Sequence, residues 1–574
     1  MNRRFKAVLL AVFVLALLAL AACGGGNDGN GNGADDDNGN GNGDAADGVT
    51  YTPGGEDAAP EGHPDFDDTV EGEIYIMIAW GNQFNRDIGN MVVDPEENGC
   101  MFFAAFHSTA RVFNEIFPNV VINLYQTENS YYWDQQRRNF EAEHGRFPDI
   151  FQSHNLAWDA TAGLVADLSV YADDPRMQSI NPAILDMFTV HGFIPGLPRE
   201  TIPQGVFVNR ELAEQHNINP PRIDWTIQEF TDFINHTDGR TYWGMWEPPI
   251  DFISHGTPYI HYALARSEGV ATVDLNNPAV RNLLSYVPLW TRDSMQSLNR
   301  QHQIPAGLLD SLWWWRIMFF ARSHILVTHT NHWELGRMAN AVDEIQMANS
   351  LRVVSNDWDV FPFPSTPYMG NTIQIHSGAW AIYNYAEGAH EWTAEQEAQR
   401  DLAFSFMMFY LTDNRAWEAR SQEQMIIGIN VPAGYVDVIG TQVPTSFPIV
   451  TGADFDFQMQ TMFNTDSFSM LADRSRFPGF HRVMEIFQSG EAVGIFGTAI
   501  PMYVDEAGTV VNAMVYWHNI HQHWIVDAYT HEPQWLDAIL AHLPEWNRVT
   551  NDRLARADQQ FREALEHWYG IVVN

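Results

Sequence analysis

From Glu73 to Trp80 the chain reads Glu-Ile-Tyr-Ile-Met-Ile-Ala-Trp, apolar and rich in β-formers, bounded by Gly72 and Gly81. That is the pattern of a strand. A helical stretch runs through Arg111–Phe117 until Pro118-Asn119 breaks it, and Val120–Leu124 reads as the next strand. The amphipathic run Trp133–His144 predicts a second helix, and Phe147–Phe151 a third strand. Strand, helix, strand, helix, strand at this spacing is the signature of βαβ units on an open parallel sheet. Ligands of such sheets sit in the crevice outside the carboxyl ends of the strands. This places Trp80 and Asn82, then Glu128, then Asn155, Trp158 and Asp159, around one crevice.

Composition narrows the possibilities. The chain has 574 residues, enough for two or more lobes, and its 20 Trp and 13% aromatics are far too many for a disordered protein. A formal charge of −41 excludes a nucleic-acid partner, because phosphate binding needs a basic face. Two cysteines cannot build a disulfide framework. The only lysine is Lys6, so every other basic side chain is Arg. Two readings of that bias stand side by side: adaptation to an alkaline medium, where guanidinium stays charged, and a genome rich in Arg codons.

The first residues form a processing signal. Arg3, Arg4 and Lys6 precede the apolar stretch Ala7–Ala19, and Leu20-Ala21-Ala22-Cys23 matches the bacterial lipobox. Residues 1–22 are therefore expected to be a lipoprotein signal peptide and Cys23 the lipidated residue. That anchors the protein to the extracytoplasmic side of the cell membrane without spanning it. Gly24–Thr50 is built almost wholly of Gly, Asn and Asp, which cannot bury enough apolar surface to order itself. Residues 23–70 are expected to be a disordered tether.

Beyond the crevice a series of short motifs follows in order. Pro148-Asp149-Ile150 is followed by Gly163–Leu168, then Gly192–Pro198, Gly205–Leu212 and Asp224–Phe230. Downstream lie Ala321–Val327 with Trp333, Val360–Pro364, Ser377–Ile382, Phe406–Asp413 and Gly428–Pro432. In this order, behind a lipobox, they resemble the extracellular solute-binding proteins of family 1, the sugar-type capture lipoproteins of ABC importers. Departures from the family pattern are Phe207 and Val208 in place of two tyrosines, and Ser323-His324 in place of a glycine and a lysine. The resemblance implies an α/β, two-lobed periplasmic-binding-protein type II fold with three interlobe crossings, near Arg199–Gln204, Ser377–Ile382 and Gly428–Pro432. It implies an N-terminal lobe of 73–198 plus 380–430 and a C-terminal lobe of 202–376 plus 432–574, closing by a hinge. It also implies a monomer whose partners are a carbohydrate ligand, of oligosaccharide size given the long body, and the transmembrane subunits of an ABC permease.

Sugars pack their C–H faces on aromatic rings and need planar polar partners for their hydroxyls. Trp80, Trp158 and Trp333 are the aromatic candidates; Asn82, Glu128, Asn155, Asp159 and Asn331 are the polar ones. Trp225 opens a helix motif and is assigned to the core, whereas Trp313-Trp314-Trp315 cannot all face one core on either period. Arg199 either meets a ligand carboxylate or forms a hinge salt bridge. His518, His521 and His523 have zinc-like spacing but no further ligand at that spacing, so they are read as a helix face; Cys100 is read as a plain thiol. No G-x-S-x-G, Walker A or H-E-x-x-H motif is present, so no enzyme, catalytic residue, metal or cofactor is expected. Carboxylates are numerous enough for a glycosidase dyad, so a secreted lipoprotein glycosidase and a peptide-binding receptor remain as alternatives.

Overall fold

The structure is a computed structural model. It describes residues 49–51, 67–79, 101–127, 133–153, 155–237, 241–245, 273–290, 324–330, 357–386, 388, 390–422, 424–431, 434–441, 446–465, 468–490, 493–496, 502–513 and 535–573. Four strands lie in the order β1-β3-β2-β4: β1 (Val49–Tyr51), β2 (Glu71–Ala79), β3 (Asn119–Thr127) and β4 (Ile150–Ser153). Strand β2 runs parallel to both neighbours, and β1 is antiparallel to β3. Helices α1 (Met101–Ile116) and α2 (Trp133–His144) lie between the parallel strands in sequence. These are the expected βαβ units. Strand β4 starts three residues later than expected, beyond Pro148, whose missing N–H disfavours an interior ladder position. The expectation of a structureless 23–70 is corrected at Val49–Tyr51. This β-branched and aromatic triplet pairs with Ile122–Leu124 at the sheet edge.

Helix α3 (Leu156–Thr161) follows β4, and β5 (Leu197–Asn209) then joins two regions of the sheet. A second helix-start signal lies at Thr226, where Thr226 and Glu229 form a reciprocal capping box on α4 (Ile227–Ile234). The remaining strands of the large sheet begin with β6 (Trp243–Met245), β7 (Ile325–Thr330), β8 (Trp358–Phe361) and β9 (Gln374–Ile382). The first half of β5, Leu197–Gln204, pairs with β9, which in turn pairs with β4. The second half, Gly205–Asn209, pairs with β7 and β8. The segment expected as the first crossing is thus the middle of one continuous strand.

Buried side chains fall into two apolar clusters. The first surrounds β2–β4 and β9 and includes α1 and α5 (Ala394–Thr412), where Phe106 packs 4.4 Å from Trp380 and 4.6 Å from Tyr410, centroid to centroid. The second is built on Val206, Val208, Leu326 and Val327 with Trp225, Phe230 and Trp290. Each such fully buried side chain contributes about 1.5–3 kcal/mol. Trp225 is completely buried with its indole N–H donated to the Pro362 carbonyl, the core role expected of it.

After α6 (Asn414–Gln422) the chain departs from expectation. Gly428–Pro432, read as the third crossing, lies largely on β10 (Gln424–Val431), which forms an antiparallel hairpin with β11 (Gly434–Thr441). The chain then returns to the crossing strand, where Phe447 N–H donates to the Thr201 carbonyl. Helices α7 (Gly452–Phe463) and α8 (Pro478–Ser489) consequently bury Phe455, Met462, Phe480 and Ile486 in the first cluster, although 432–574 was expected to belong wholly to the other lobe. Strand β12 (Val493–Phe496) adds to β9 in parallel. A small hairpin, β13 (Met502–Val504) with β14 (Val510–Asn512), precedes α9 (Trp535–Tyr569). This 35-residue helix serves both clusters: Ile539, Leu543 and Leu554 lie in the second, Phe561 and Leu565 in the first.

Candidate functional site

The carboxyl ends of β3, β2 and β4 lie side by side, as parallel pairing of β2 with both neighbours requires. Of the strand-end candidates, Trp80 and Glu128 follow directly on Ala79 and Thr127, Asn82 comes two residues after Trp80, and Asn331 and Trp333 follow Thr330 of β7. These five lie outside the described residues, as do Cys23, Cys100, Trp313–Trp315 and the three histidines His518, His521 and His523. Asn155, Trp158 and Asp159 are described, and all three stand at the end of β4.

Asn155 is the N-cap of α3: its Oδ1 accepts from the Trp158 N–H at 3.2 Å. The cap fixes the rotation of the carboxamide, so its Nδ2 points away from the helix and donates to Met502 Sδ at 2.9 Å. Trp158, one turn on, is half-buried. Asp159 is 3% exposed, and both its oxygens are engaged. Oδ1 accepts from Arg137 Nη2 at 3.0 Å and Oδ2 from Ser153 Oγ at 2.6 Å. Asp159 therefore ties α2 and the last residue of β4 to α3. Arg137 also lies 5.0 Å over the Phe151 ring.

Behind these residues is the crossing strand. Arg199 is the extra residue of a β-bulge, since Pro198 pairs with Ala379 while Glu200 pairs with the adjacent Gly378. Bulges re-aim side chains. Here Arg199 is 2% exposed, and its Nη1 donates to Gln152 Oε1 on β4 at 2.5 Å. Thr201, Gln204, Gln374 and Ser377 continue a buried polar row along β5 and β9. Arg137, Gln152 and Met502 carry no local motif; only the tertiary pairing reveals them.

No known family's sequence profile matches the chain. No curated protein sequence matches it either. Many solved structures do. One is a sugar transporter protein from Rhizobium etli in an open conformation, 13% identical, with TM-score 0.51 over 84% of this chain and 99% of that one. The fold is that of the two-lobed periplasmic binding proteins. Also similar are a cyclic α-maltosyl-1,6-maltose binding protein from Arthrobacter globiformis (14% identity, TM-score 0.49, 87% and 100% covered) and a family 1 extracellular solute-binding protein from Alicyclobacillus acidocaldarius (13%, 0.48, 85% and 100%). Among the described residues no helix is long and apolar enough to cross a membrane, and no group of three His, Cys, Asp or Glu side chains is placed to hold a metal ion.

Proposed function

We propose that this protein is a lipid-anchored solute-binding protein that captures a neutral or weakly acidic oligosaccharide between its lobes and delivers it to an ABC importer. The observation that carries the reading is the binding-protein fold, in which the parallel strand ends of β3, β2 and β4 share one sheet with β5, the strand that continues from the first cluster into the second. The order of the family motifs supports it, and so does the likeness to the Rhizobium etli sugar transporter protein. Asn155 and Trp158 supply a fixed amide and an indole face, the pair of groups that a sugar's hydroxyl and C–H surfaces require. Asp159 holds the end of β4 in place through Arg137 and Ser153. Trp80, Asn82, Glu128, Asn331 and Trp333 complete the ligand-contacting set, Cys23 carries the lipid, and the protein acts as a monomer without catalysis.

Thermal-shift and calorimetric titration of the full chain with graded malto-, cello- and xylo-oligosaccharides tests this. A ligand at 100 times its Kd adds about 2.7 kcal/mol to stability. Stoichiometric binding without turnover is the expected result. Cleavage of the sugars would move the reading to a glycosidase, and binding of mixed peptides but no glycan would move it to a peptide receptor.

A further inference from the structure

We infer that Met502 is a ligand-contacting, specificity-determining residue, brought to the end of β4 from the far end of the sequence; this rests on the carbohydrate-binding reading above. Asn155 belongs to the lobe of the first cluster, through its neighbour Leu156. Met502 belongs to a hairpin whose Tyr503 is buried in the second cluster. Their contact therefore joins the two bodies across 347 residues of sequence.

The hairpin is held firmly enough to position a side chain. Val504 N–H donates to Gln560 Oε1 at 2.7 Å, and Gln560 Nε2 donates to the Val504 carbonyl at 2.8 Å, so the α9 carboxamide mimics a strand partner. Strand alternation turns Tyr503 inward and leaves Met502, half-buried, facing Asn155.

The chemistry of the contact is unequal. A thioether is a weak acceptor, whereas Asn155 Nδ2 is a full-strength donor whose direction the helix cap has fixed. A sugar hydroxyl is the better acceptor and displaces the sulfur from that N–H. Methionine is unbranched and adaptable, so its displaced methyl can settle on the apolar C–H face of the same sugar. Met502 thus holds the amide until ligand arrives and then contributes apolar contact.

The test is carried out on the full chain labelled with 13C at the methionine methyl groups, titrated with maltotriose, cellotriose and xylotriose. The Met502 resonance is identified by its absence in Met502→Leu. The expected result is that it moves, saturating at the sugar concentration that saturates the thermal shift. Met502→Ala should weaken binding about five- to tenfold. Met502→Leu keeps the apolar contact and removes the competing sulfur, so it should bind at least as tightly as the parent. Equal melting temperatures of the sugar-free variants show that the fold is retained. If the parent binds a sugar while the Met502 resonance stays still and Met502→Ala binds as the parent does, the inference is overturned and the proposed function stands. If the parent binds none of the sugars, both fall together.

Discussion

His191 Nε2 lies 2.7 Å from Asp558 Oδ1, joining a turn beside the first cluster to the middle of α9. The imidazole is 5% exposed. Its backbone is as unusual as its partner: His191 has φ 52° and Gly192 φ 79°, the two positive values that a type I′ turn demands. Val190 and Phe193 close that turn with reciprocal 2.8 Å hydrogen bonds. A non-glycine residue in the left-handed region costs about 1–2 kcal/mol, so the contact with Asp558 holds a residue that the turn alone would not select.

The first prediction separates those two effects. His191→Ala loses the pair and keeps the strain. His191→Asn loses the pair but suits the turn, because Asn tolerates positive φ. Asp558 keeps its second partner, Arg562 Nε at 2.8 Å, so the carboxylate is not stranded. Urea unfolding should show a loss of about 1–2 kcal/mol for Ala and a smaller loss for Asn. Equal losses would mean that the turn carries no strain.

A second prediction concerns Asp359 on β8, which caps the start of α8. Its carboxylate accepts from Gly479 N–H at 2.8 Å, Phe480 N–H at 2.9 Å and Val360 N–H at 2.8 Å. The approach is close: a Cβ at Gly479 would lie 2.7 Å from the Val360 carbonyl oxygen, so only glycine fits. Asp359→Ala leaves three buried donors without acceptors, at about 1–3 kcal/mol each, and should unfold at much lower urea. Burial pushes the Asp359 carboxyl from 3.8 up to about 6, against the pull of those N–H groups and Arg210. The neutral form is thus favoured in the folded state. Its contribution is fully present below pH 3.8 and is lost as pH rises through about 6. The difference in stability between the parent and Asp359→Asn should therefore shift in favour of the parent as pH falls from 7 to 5. A difference that is flat over that range contradicts this assignment.

What was legible in the sequence follows the range of the interactions. The β2–β4 units and the Trp225 helix start rest on periodicity and on a capping pattern four residues long, both local. The fate of Gly428–Pro432 was not legible, because a glycine and a proline after an apolar run suit a crossing and a hairpin equally well. The return of α7 and α8 to the first cluster depends on Phe447 meeting Thr201, 246 positions earlier, which no local pattern records. At the candidate site, the strand-end rule points to Asn155, which the structure has just beyond β4 as the cap of α3. Met502 was invisible because one methionine among 21 looks like any core residue until the hairpin is placed. Asp159 was chosen by position, yet its oxygens are committed to Arg137 and Ser153, a pairing that needs α2 docked on the sheet.

The third prediction tests the capping box on α4. Thr226 Oγ1 accepts from the Glu229 N–H, and Glu229 Oε2 accepts from the Thr226 N–H at 2.8 Å. Arg222 Nε adds a hydrogen bond to Glu229 Oε1 at 2.8 Å. Thr226→Ala should cost about 1 kcal/mol, measured by urea midpoint. The Arg222 hydrogen bond, with the Thr226 N–H second, pulls the Glu229 carboxyl from 4.5 down to about 2. This stabilisation is present above pH 4.5 and is lost as pH falls through about 2. Glu229→Gln should therefore weaken the protein at pH 6 and converge with the parent near pH 2. Divergence that persists at pH 2 would show that the glutamate acts by shape alone.

The last prediction addresses alkaline conditions. Ordinary proteins lose ammonium ion pairs as lysines discharge near pH 10.4, but here Lys6 is the only lysine and the body's strong bases are all Arg, as in the described pairs with Asp159 and Asp413. Guanidinium stays charged far above that pH. Besides the thiol of Cys100, the groups left to titrate are tyrosines, and the structure pushes several of them upward. Burial, aided by a hydrogen bond to Glu73, raises Tyr75 to about 12. Burial likewise raises Tyr125, Tyr171, Tyr385 and Tyr569. A raised folded pKa means stability that is complete below pH 10 and lost as pH climbs through the folded value. The melting temperature should thus stay flat from pH 8 to pH 10 and fall between pH 10 and 12. Absorbance at 295 nm, which follows phenolate formation, should show part of the tyrosine titration delayed until unfolding. A steep fall already between pH 8 and 10, matching that of a lysine-rich binding protein run alongside, would leave codon usage as the sole account of the missing lysines.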